Sequence, residues 1–392
     1  MRTLQDLDVA GKRVLVRVDF NVPQAADGSV TDDTRIRAAL PTLEALRTRG
    51  ACVVLMSHLG RPKGQINPKY TLRPVAGRLS ELIGAPVAFA EDCIGPGAEA
   101  AAAALHPGEL LLLENTRFHA EEEKNDGDFA RALARLGDCY VNDAFGTAHR
   151  ANASTEAVAH LLPSAAGLLL EREIAKLGPL LHNPEKPFVA ILGGAKVTDK
   201  IGVIEKLLPL VDRFLVGGAM VFPFLKARGI SVGRSLCKDE DLAAAKALLA
   251  RPEVAAKLQL ATDFIVTNNL EAPTLFEAVP ADGIPDHLLG ADVGPDTLMC
   301  FHDLLLGAKT VIWNGPMGRF EDPHFATGTR GLAEILARVN DAGAVVIVGG
   351  GDSAAAVQQF GYAGRMDHIS TGGGASLEFL EGRTLPGVAA LS

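Results

Sequence analysis

The sequence predicts an α/β protein with two Rossmann-like, doubly wound parallel-sheet domains joined by a helix. Three observations carry that expectation. A short apolar run, then a polar motif, then a helical pattern recurs along both halves of the chain. The runs are apolar throughout rather than alternating, which suits parallel strands covered on both faces. The pattern restarts at Phe188, just after the proline-flanked segment HNPEKP at 182–187. Finally, 392 residues with 48% hydrophobic content suffice for two cores of ordinary size. We therefore expect a first domain at 1–170, a helix and linker at 171–187, and a second domain at 188–379.

Composition narrows the function. Aromatic residues make up only 5%, so the cores are mostly aliphatic. The net charge of −9 argues against a broad surface for nucleic acid or anionic membrane. No apolar run approaches the length of a membrane span, and the N-terminus leads straight into a strand pattern without a signal-like apolar region. Five cysteines, Cys52, Cys93, Cys139, Cys237 and Cys300, are scattered without a CxxC pair. They read as reduced, mostly structural thiols of a cytoplasmic protein. A small anionic ligand would then need a local concentration of Arg, Lys and glycine-rich backbone.

The first strand run is RVLVRVDFNVP (13–23), followed by CVVLMSHLGRP (52–62), ELLLLENTRF (109–118) and CYVNDAFGTAHR (139–150). Helical stretches at 35–50, 71–84, 97–106 and 128–137 separate them. In doubly wound sheets, ligands bind beyond the carboxyl ends of the strands. Asp19, Asn21, His58, Arg61, Arg117 and Arg150 fall there, and Arg35 lies between the first run and its helix. Singly, each has a plain structural explanation: a solvated or ion-paired arginine, a satisfied histidine. Together they have successive strands delivering cations and polar groups to one sheet edge. Arginine suits fork-like recognition of phosphate and carboxylate, so this half reads as a basic pocket for a small, multiply charged anion. The run EEEKNDGD (121–128) reads as a solvated helix entry. Residues 154–183 read as mostly helical and carry the chain toward the second domain.

The second half opens on FVAILGGAKVTDKI (188–201). Phe188–Leu192 reads as a buried strand, Gly193-Gly194 as a turn, and the rest as a helix with Lys196 and Lys200 on one face. Two ammonium groups there would grip a phosphoryl group in transit. The same residues also fit a tight β-turn-α corner with two solvated lysines. RFLVGGAM (213–220), DFIVTNN (263–269), TVIWNGPMG (310–318), AVVIVGGGDS (344–353) and HISTGGGAS (368–376) continue the pattern. Glycines at these strand ends present backbone N–H groups to phosphates and leave room for a flat base or ribose. Asp352 follows Gly349-Gly350-Gly351, where a carboxylate can hold a phosphate-bound Mg²⁺ and also cap its helix. Glu321 fits either a partner for ribose hydroxyls or a solvated loop carboxylate.

Neighbouring chemistries are excluded by what is missing. No GxxxxGK[ST] motif occurs. Gly349–Ala354 matches GxGxxA, but Asp367 precedes the next strand, HIST, where a dinucleotide fold needs an acidic residue after it. HRD and DFG kinase signatures are absent. None of the ten histidines has a cysteine or histidine close in sequence that suggests zinc.

The runs RVDFNVP, DDTRIRAALPT, SHLGRP, ENTRFH, NDAFGTAHRA, GGAKVTDKI, VGGAM, WNGPMGRFE, GGGDS and STGGGASLEFLEG span nearly the whole chain. In kind and order they resemble the diagnostic runs of the phosphoglycerate kinase family. The resemblance implies two domains closing over a cleft, in a monomer, with a tail at about 380–392 that returns to the first domain. It implies Mg²⁺-dependent, reversible phosphoryl transfer between 1,3-bisphosphoglycerate and ADP. Carried over by position, Asp19, Phe20, Asn21, Arg35, His58, Leu59, Gly60, Arg61, Arg117 and Arg150 form the 3-phosphoglycerate pocket. Lys196, Lys200, Gly217, Gly218, Gly294, Asn314, Glu321, Gly350, Gly351, Asp352 and Ser353 form the ATP/ADP side. Ser353 stands where threonine is usual and keeps the hydroxyl. Asn152 stands where histidine is usual, and residues 266–283 depart from the familiar pattern.

The residue inventory suits that chemistry. A carboxylate nucleophile is already ionised at neutral pH and needs no general base. Catalysis then rests on alignment and charge stabilisation. The expected catalytic groups are Arg35, Lys196 and Lys200, with backbone N–H groups at Gly372, Gly373 and Gly374. Two other readings stay open: a catalytically silent nucleotide-binding scaffold of the same fold, and an unrelated acyl-phosphate kinase such as one acting on acetate. The latter would have no use for so many arginines.

Overall fold

Strand β1 (Arg13–Arg17) is the apolar centre about which the first half of the chain is built. The computed structural model describes residues 1–392. Around β1 are β2 (Cys52–Met56), β3 (Val87–Ala90), β4 (Leu110–Leu113), β5 (Cys139–Asn142) and β6 (Ser164–Ala166), all parallel, in the order β3-β4-β2-β1-β5-β6. Val14, Leu15 and Val16 are completely buried, as an apolar run covered on both faces requires. The covering helices are α1 (Thr34–Thr48), α2 (Arg73–Ile83), α3 (Gly95–Ala103) and α4 (Gly127–Ala134). In α1, Ile36, Ala39, Leu43 and Leu46 recur at three- and four-residue spacing and are all buried. With β2 on one side of β1 and β5 on the other, a crevice opens at their carboxyl ends.

Both edge strands of this sheet escape the sequence reading. In β3, Ala88 is exposed and only Ala90 is fully buried, so no apolar run marks it. The strand β6 is three small residues, Ser-Ala-Ala. Residues 154–163, expected to be mostly helical, hold turns and one short 3-10 helix, Ala157–His160. Pro163, which cannot continue a helix, precedes β6, and only then does helix α5 (Leu168–His182) begin.

The chain divides into two units, Met1–Ala175 with Thr384–Ser392, and Lys176–Arg383, so the boundary falls within α5. The C-terminal segment is tied to the first unit by backbone. Gly387 donates to the Ala148 carbonyl at 2.9 Å, and Arg2 donates to the Leu391 carbonyl at 3.1 Å.

The start of α5 rests on Asp143, a buried carboxylate just beyond β5. Its Oδ1 accepts from Leu169 N–H at 2.9 Å and Leu170 N–H at 3.4 Å, while Oδ2 is buried without a partner. Burial raises its pKa to about 7, against the opposing hydrogen bonds from Thr42, Leu169 and Leu170. A carboxyl group whose native pKa lies above its unfolded value stabilises the fold below the unfolded pKa, and that contribution is lost as pH rises through the native one. Asp143→Asn keeps the acceptor and removes the charge. The wild type should therefore lose stability relative to the variant between about pH 4 and pH 7, on the order of a few kcal/mol in all. Thermal midpoints of both proteins across that range test this; a constant offset would overturn it.

The second unit has β7 (Phe188–Leu192), β8 (Arg213–Val216) and β9 (Leu258–Leu260), then a small antiparallel sheet, then β13 (Thr310–Asn314), β14 (Val345–Gly349) and β15 (His368–Ile369). The small sheet comprises β10 (Asp263–Thr267), β11 (Glu277–Pro280) and β12 (Leu289–Val293), with β10 central. The main sheet is parallel, in the order β15-β14-β13-β7-β8-β9. Counted within the unit from β9, this is the 3-2-1-4-5-6 order of a dinucleotide-binding sheet, with its reversal between β7 and β13.

DFIVTNN, expected as another strand of the parallel sheet, is a correction: it forms β10 and pairs antiparallel on both sides. Only Ala261 and Thr262 separate it from β9. A parallel partner needs a crossover of a dozen or so residues, so that place was closed to it.

Candidate active site

In the first unit, the loop after β1 is anchored by buried Phe20, whose N–H donates to Ser57 Oγ at 2.8 Å. Asn21 Oδ1 accepts from Gly60 N–H at 2.9 Å, joining this loop to the one after β2. The Asn115 amide adds the loop after β4: it accepts from Leu59 N–H at 3.2 Å and Arg117 N–H at 3.0 Å and donates to the Leu59 carbonyl at 2.7 Å. These backbone clamps bring the charged side chains together. Arg35 Nη1 donates to Asp19 Oδ2 at 2.8 Å, and the other Asp19 oxygen lies 3.9 Å from His58 Nδ1. Buried Arg117 donates from Nη1 to the Gly60 carbonyl at 2.9 Å. Its Nε lies 3.3 Å from a Glu123 oxygen, off the line of a hydrogen bond.

His58 is at the centre of this group. It is buried, and Arg17 Nη2 donates to its Nδ1 at 3.1 Å. Burial first, then the guanidiniums of Arg17, Arg117, Arg150 and Arg35, hold its imidazole well below the ordinary range. The ring is therefore neutral. Because arginine can only donate, Nδ1 is the acceptor and the ring proton sits on Nε2. One guanidinium on a neutral ring, with three more close enough for their charge to act on it, defines a site that an anion with several charges would relieve. Arg117 feels the same strain: burial lowers its pKa most, Glu123 opposes this, and Arg150 and Arg17 lower it further.

In the second unit, the loops after β7 and β13 meet at the reversal of strand order. Gly193 N–H donates to the Asn314 carbonyl and Gly194 N–H to the Pro316 carbonyl, both at 2.9 Å. Gly218, at φ +62°, closes the junction from β8; a β-carbon there would lie 2.6 Å from the Gly194 nitrogen. Only glycine accommodates backbone against backbone at that distance.

Two cavities flank the junction. One, of about 340 Å³, is lined by Lys196, Asp199, Lys200 and Asn314, by the Gly350–Ser353 turn, and by Gly373 and Gly374. The other, of about 410 Å³, is walled largely by apolar groups, among them Phe222, Phe264, Leu289 and Met317. Gly194, Ala195, Pro316 and Asp352 border both. A glycine-rich chamber with cations thus adjoins an apolar one, as a polyphosphate attached to a flat base requires.

Lys200 is buried in the chamber wall, and its ammonium donates to Asn314 Oδ1. Burial pulls its pKa down to about 8, against the pull of Asp199, Asp352 and Glu381. The Asn314 Nδ2 is buried without a partner, which leaves a donor beside the glycine turn. Ser353 Oγ accepts from Gly315 N–H at 2.7 Å, so the hydroxyl holds the loop after β13.

Known proteins can be compared on this basis. A profile described as phosphoglycerate kinase matches residues 4–383. The chain belongs to the phosphoglycerate kinase family. Phosphoglycerate kinases of Moorella thermoacetica and Chloroflexus aurantiacus are each 56% identical to it, covering 100% of this chain and 98% of theirs. The solved phosphoglycerate kinase structure from Coxiella burnetii superposes with a TM-score of 0.87 at 40% identity, over 99% of this chain and 98% of that one. The one from Pyrococcus horikoshii gives 0.85 at 34% identity, over 100% and 98%. A full-length match at such identity makes this chain a kinase of the family.

Against the phosphoglycerate kinase pattern, the positions carried over fall into groups. Asp19, Arg35, His58 and Arg117 converge, exposed Arg150 adds its charge to theirs, Phe20, Asn21, Leu59 and Gly60 supply the clamped backbone, and Arg61 is exposed three residues beyond His58. In the second unit, Lys196, Lys200, Asn314, Gly350, Gly351, Asp352, Ser353, Gly373 and Gly374 line one cavity, and Gly218 lines the other. Gly372 is buried and lines neither cavity. Gly217, Gly294 and Glu321 line neither. A β-carbon on Gly217 would meet Met317 Sδ at 2.5 Å, and one on Gly294 would meet an Asp263 oxygen at 2.1 Å. Glu321 is exposed. The expected helix bearing both lysines is also corrected. Residues 193–197 are irregular, a 3-10 turn covers Thr198–Lys200, and only then comes helix α6 (Ile201–Leu207). Lys196 and Lys200 share the cavity through that turn, not through a helical face.

Arg17 is the residue that sequence reasoning missed. It is 2% exposed, with Nε donating to Ser154 Oγ at 2.8 Å. Ser154 in turn donates its hydroxyl and N–H to the two oxygens of Glu122, at 2.5 and 2.9 Å. Glu122, expected in a solvated helix entry, is fully buried and balances Arg17 through that serine. The available signal was an arginine inside the apolar run RVLVRV. Asp199 and the apolar cavity wall were also missed; nothing local distinguishes Phe222 or Phe264 from core.

Proposed function

We propose that this chain moves a phosphoryl group between the acyl phosphate of 1,3-bisphosphoglycerate and ADP, with Mg²⁺. The single observation that carries this reading is neutral His58, held by Arg17 and lying within the field of Arg35, Arg117 and Arg150. The transferring group leaves a carboxylate oxygen and joins a nucleotide phosphate oxygen, so no proton need move. Arg35, Arg117 and Arg150 hold the glycerate phosphate and carboxyl by charge-assisted contacts, while buried Arg17 fixes Nδ1 of His58, which donates through Nε2. On the nucleotide side, Lys196 and Lys200 meet the charge spread over the moving phosphoryl, joined by backbone N–H groups of Gly373 and Gly374. Burial makes Lys200 more costly as a cation without substrate, so negative charge arriving there offsets that cost.

The residues fit Mg²⁺. Asp352 and Asp199 place carboxylates on the chamber wall, and this ion takes one or two carboxylates together with phosphate oxygens and water. When held there, it neutralises phosphate charge. The basic group lies in one unit and the chamber in the other, so turnover requires the two half-sites to meet and exclude water. We place the reaction in the cytoplasm and in a monomer.

The test is ATP formation from ADP and 1,3-bisphosphoglycerate, with and without Mg²⁺. Mg²⁺-dependent formation is expected in the wild type, with the Mg²⁺ requirement shifted to higher concentration in Asp352→Asn. Nucleotide binding without turnover would instead favour the silent scaffold. Turnover with acetyl phosphate alone would favour the simpler acyl-phosphate kinase.

A further inference from the structure

The parallel pairing of β3 with β4 aligns Ala90 with Leu113, and so sets the loop after β3 beside the segment that follows Arg117 in the loop after β4. Asp92 and Cys93 stand on the first, and His119 on the second. One donor atom from each, a carboxylate oxygen, the thiol sulfur and a ring nitrogen, lie within 4.8 Å of one another. We propose that Asp92, Cys93 and His119 bind a divalent cation of the zinc class. The proposal does not rest on the phosphotransfer reading.

The donor set decides the class of ion. Sulfur and imidazole nitrogen with one carboxylate oxygen suit Zn²⁺ and its neighbours. Mg²⁺ and Ca²⁺ take oxygen. The donors are also held in place. His119 Nε2 lies 2.7 Å from Asp92 Oδ1, which also accepts from Cys93 N–H at 2.6 Å. The imidazole packs on Phe129 with ring centroids 5.2 Å apart, which limits its rotation. Cys93 is completely buried. Asp92 and His119 border a cavity of about 320 Å³ that also carries the Glu91 carboxylate. With two of the three donors facing an open cavity, a fourth coordination position is left for water. On binding, the thiol gives its proton to solvent and the sulfur ligates as thiolate. Cys93 and His119 are 26 positions apart, so no zinc spacing is visible in the chain. Strand pairing alone creates the cluster.

Co²⁺ added to the purified full-length chain is the test, read by absorption and by calorimetry. One equivalent should bind with a thiolate-to-cobalt charge-transfer band. Cys93→Ser should abolish the band, and His119→Gln, at a half-buried position, should weaken binding at least about tenfold. Zn²⁺ should displace the cobalt and raise the melting temperature of the wild type but not of Cys93→Ser. Absence of the band, or its persistence in Cys93→Ser, would overturn the proposal. Thermal melts without metal show whether each variant is folded, and His119→Gln gives an independent reading if Cys93→Ser is not.

Discussion

Lys200→Ala lowers turnover by about a hundred- to a thousandfold while changing the affinity for either substrate only slightly. The ammonium is buried, hydrogen-bonded to Asn314, and near three carboxylates that partly offset its burial. Its interaction with a resting phosphate differs from that with a phosphoryl group in flight, over which charge is spread. A group poised in this way contributes to the transition state more than to ground-state binding. The residue should also leave a pH signature. Its native pKa of about 8 lies below the ordinary 10.5 of lysine, so between these values the unfolded chain holds more protons and the stability of the wild type rises with pH. Lys200→Ala should lose that slope. Steady-state kinetics and thermal melts from pH 7.5 to pH 10.5 measure both effects. Weakened binding with unchanged turnover would sink the assignment.

Arg35→Ala should be nearly as damaging, with turnover down by about a hundredfold or more. Arg35 is partly exposed, with Nη1 on Asp19, so part of its fork is free to meet a ligand. Arg35→Lys should recover little, because a point charge cannot reproduce the planar fork. The competing account is that Arg35 only neutralises Asp19. Asp19→Asn separates the two, since it removes the ion pair and keeps the guanidinium. If Arg35 acts on the phosphoryl group, Asp19→Asn costs much less than Arg35→Ala. Equal losses in both variants would reduce Arg35 to a partner of Asp19.

Much of this was legible in the chain. The inner strands β1, β2, β4, β5, β7, β8, β13 and β14 were all read from their apolar runs, because a strand covered on both faces has no freedom to alternate. The edge strands β3, β6 and β9 were not, since an edge relaxes that demand and leaves short or mixed segments. Likewise, Arg117 and Lys200 could be nominated from their places in long motifs, but the partners that set their protonation could not.

By itself, the sequence determined the fold class, the family, and which side chains carry charge to the strand ends. These follow from burial periodicity and from motifs contiguous in the chain. Tertiary structure alone decided that His58 is neutral and that Arg17 is balanced by Glu122 through Ser154. It also decided that Lys196 and Lys200 meet through a turn, and that Asp92, Cys93 and His119 converge. A pKa or a ligand set depends on distances of a few ångströms between groups tens of residues apart. Strand order sets those distances, and no local pattern encodes them.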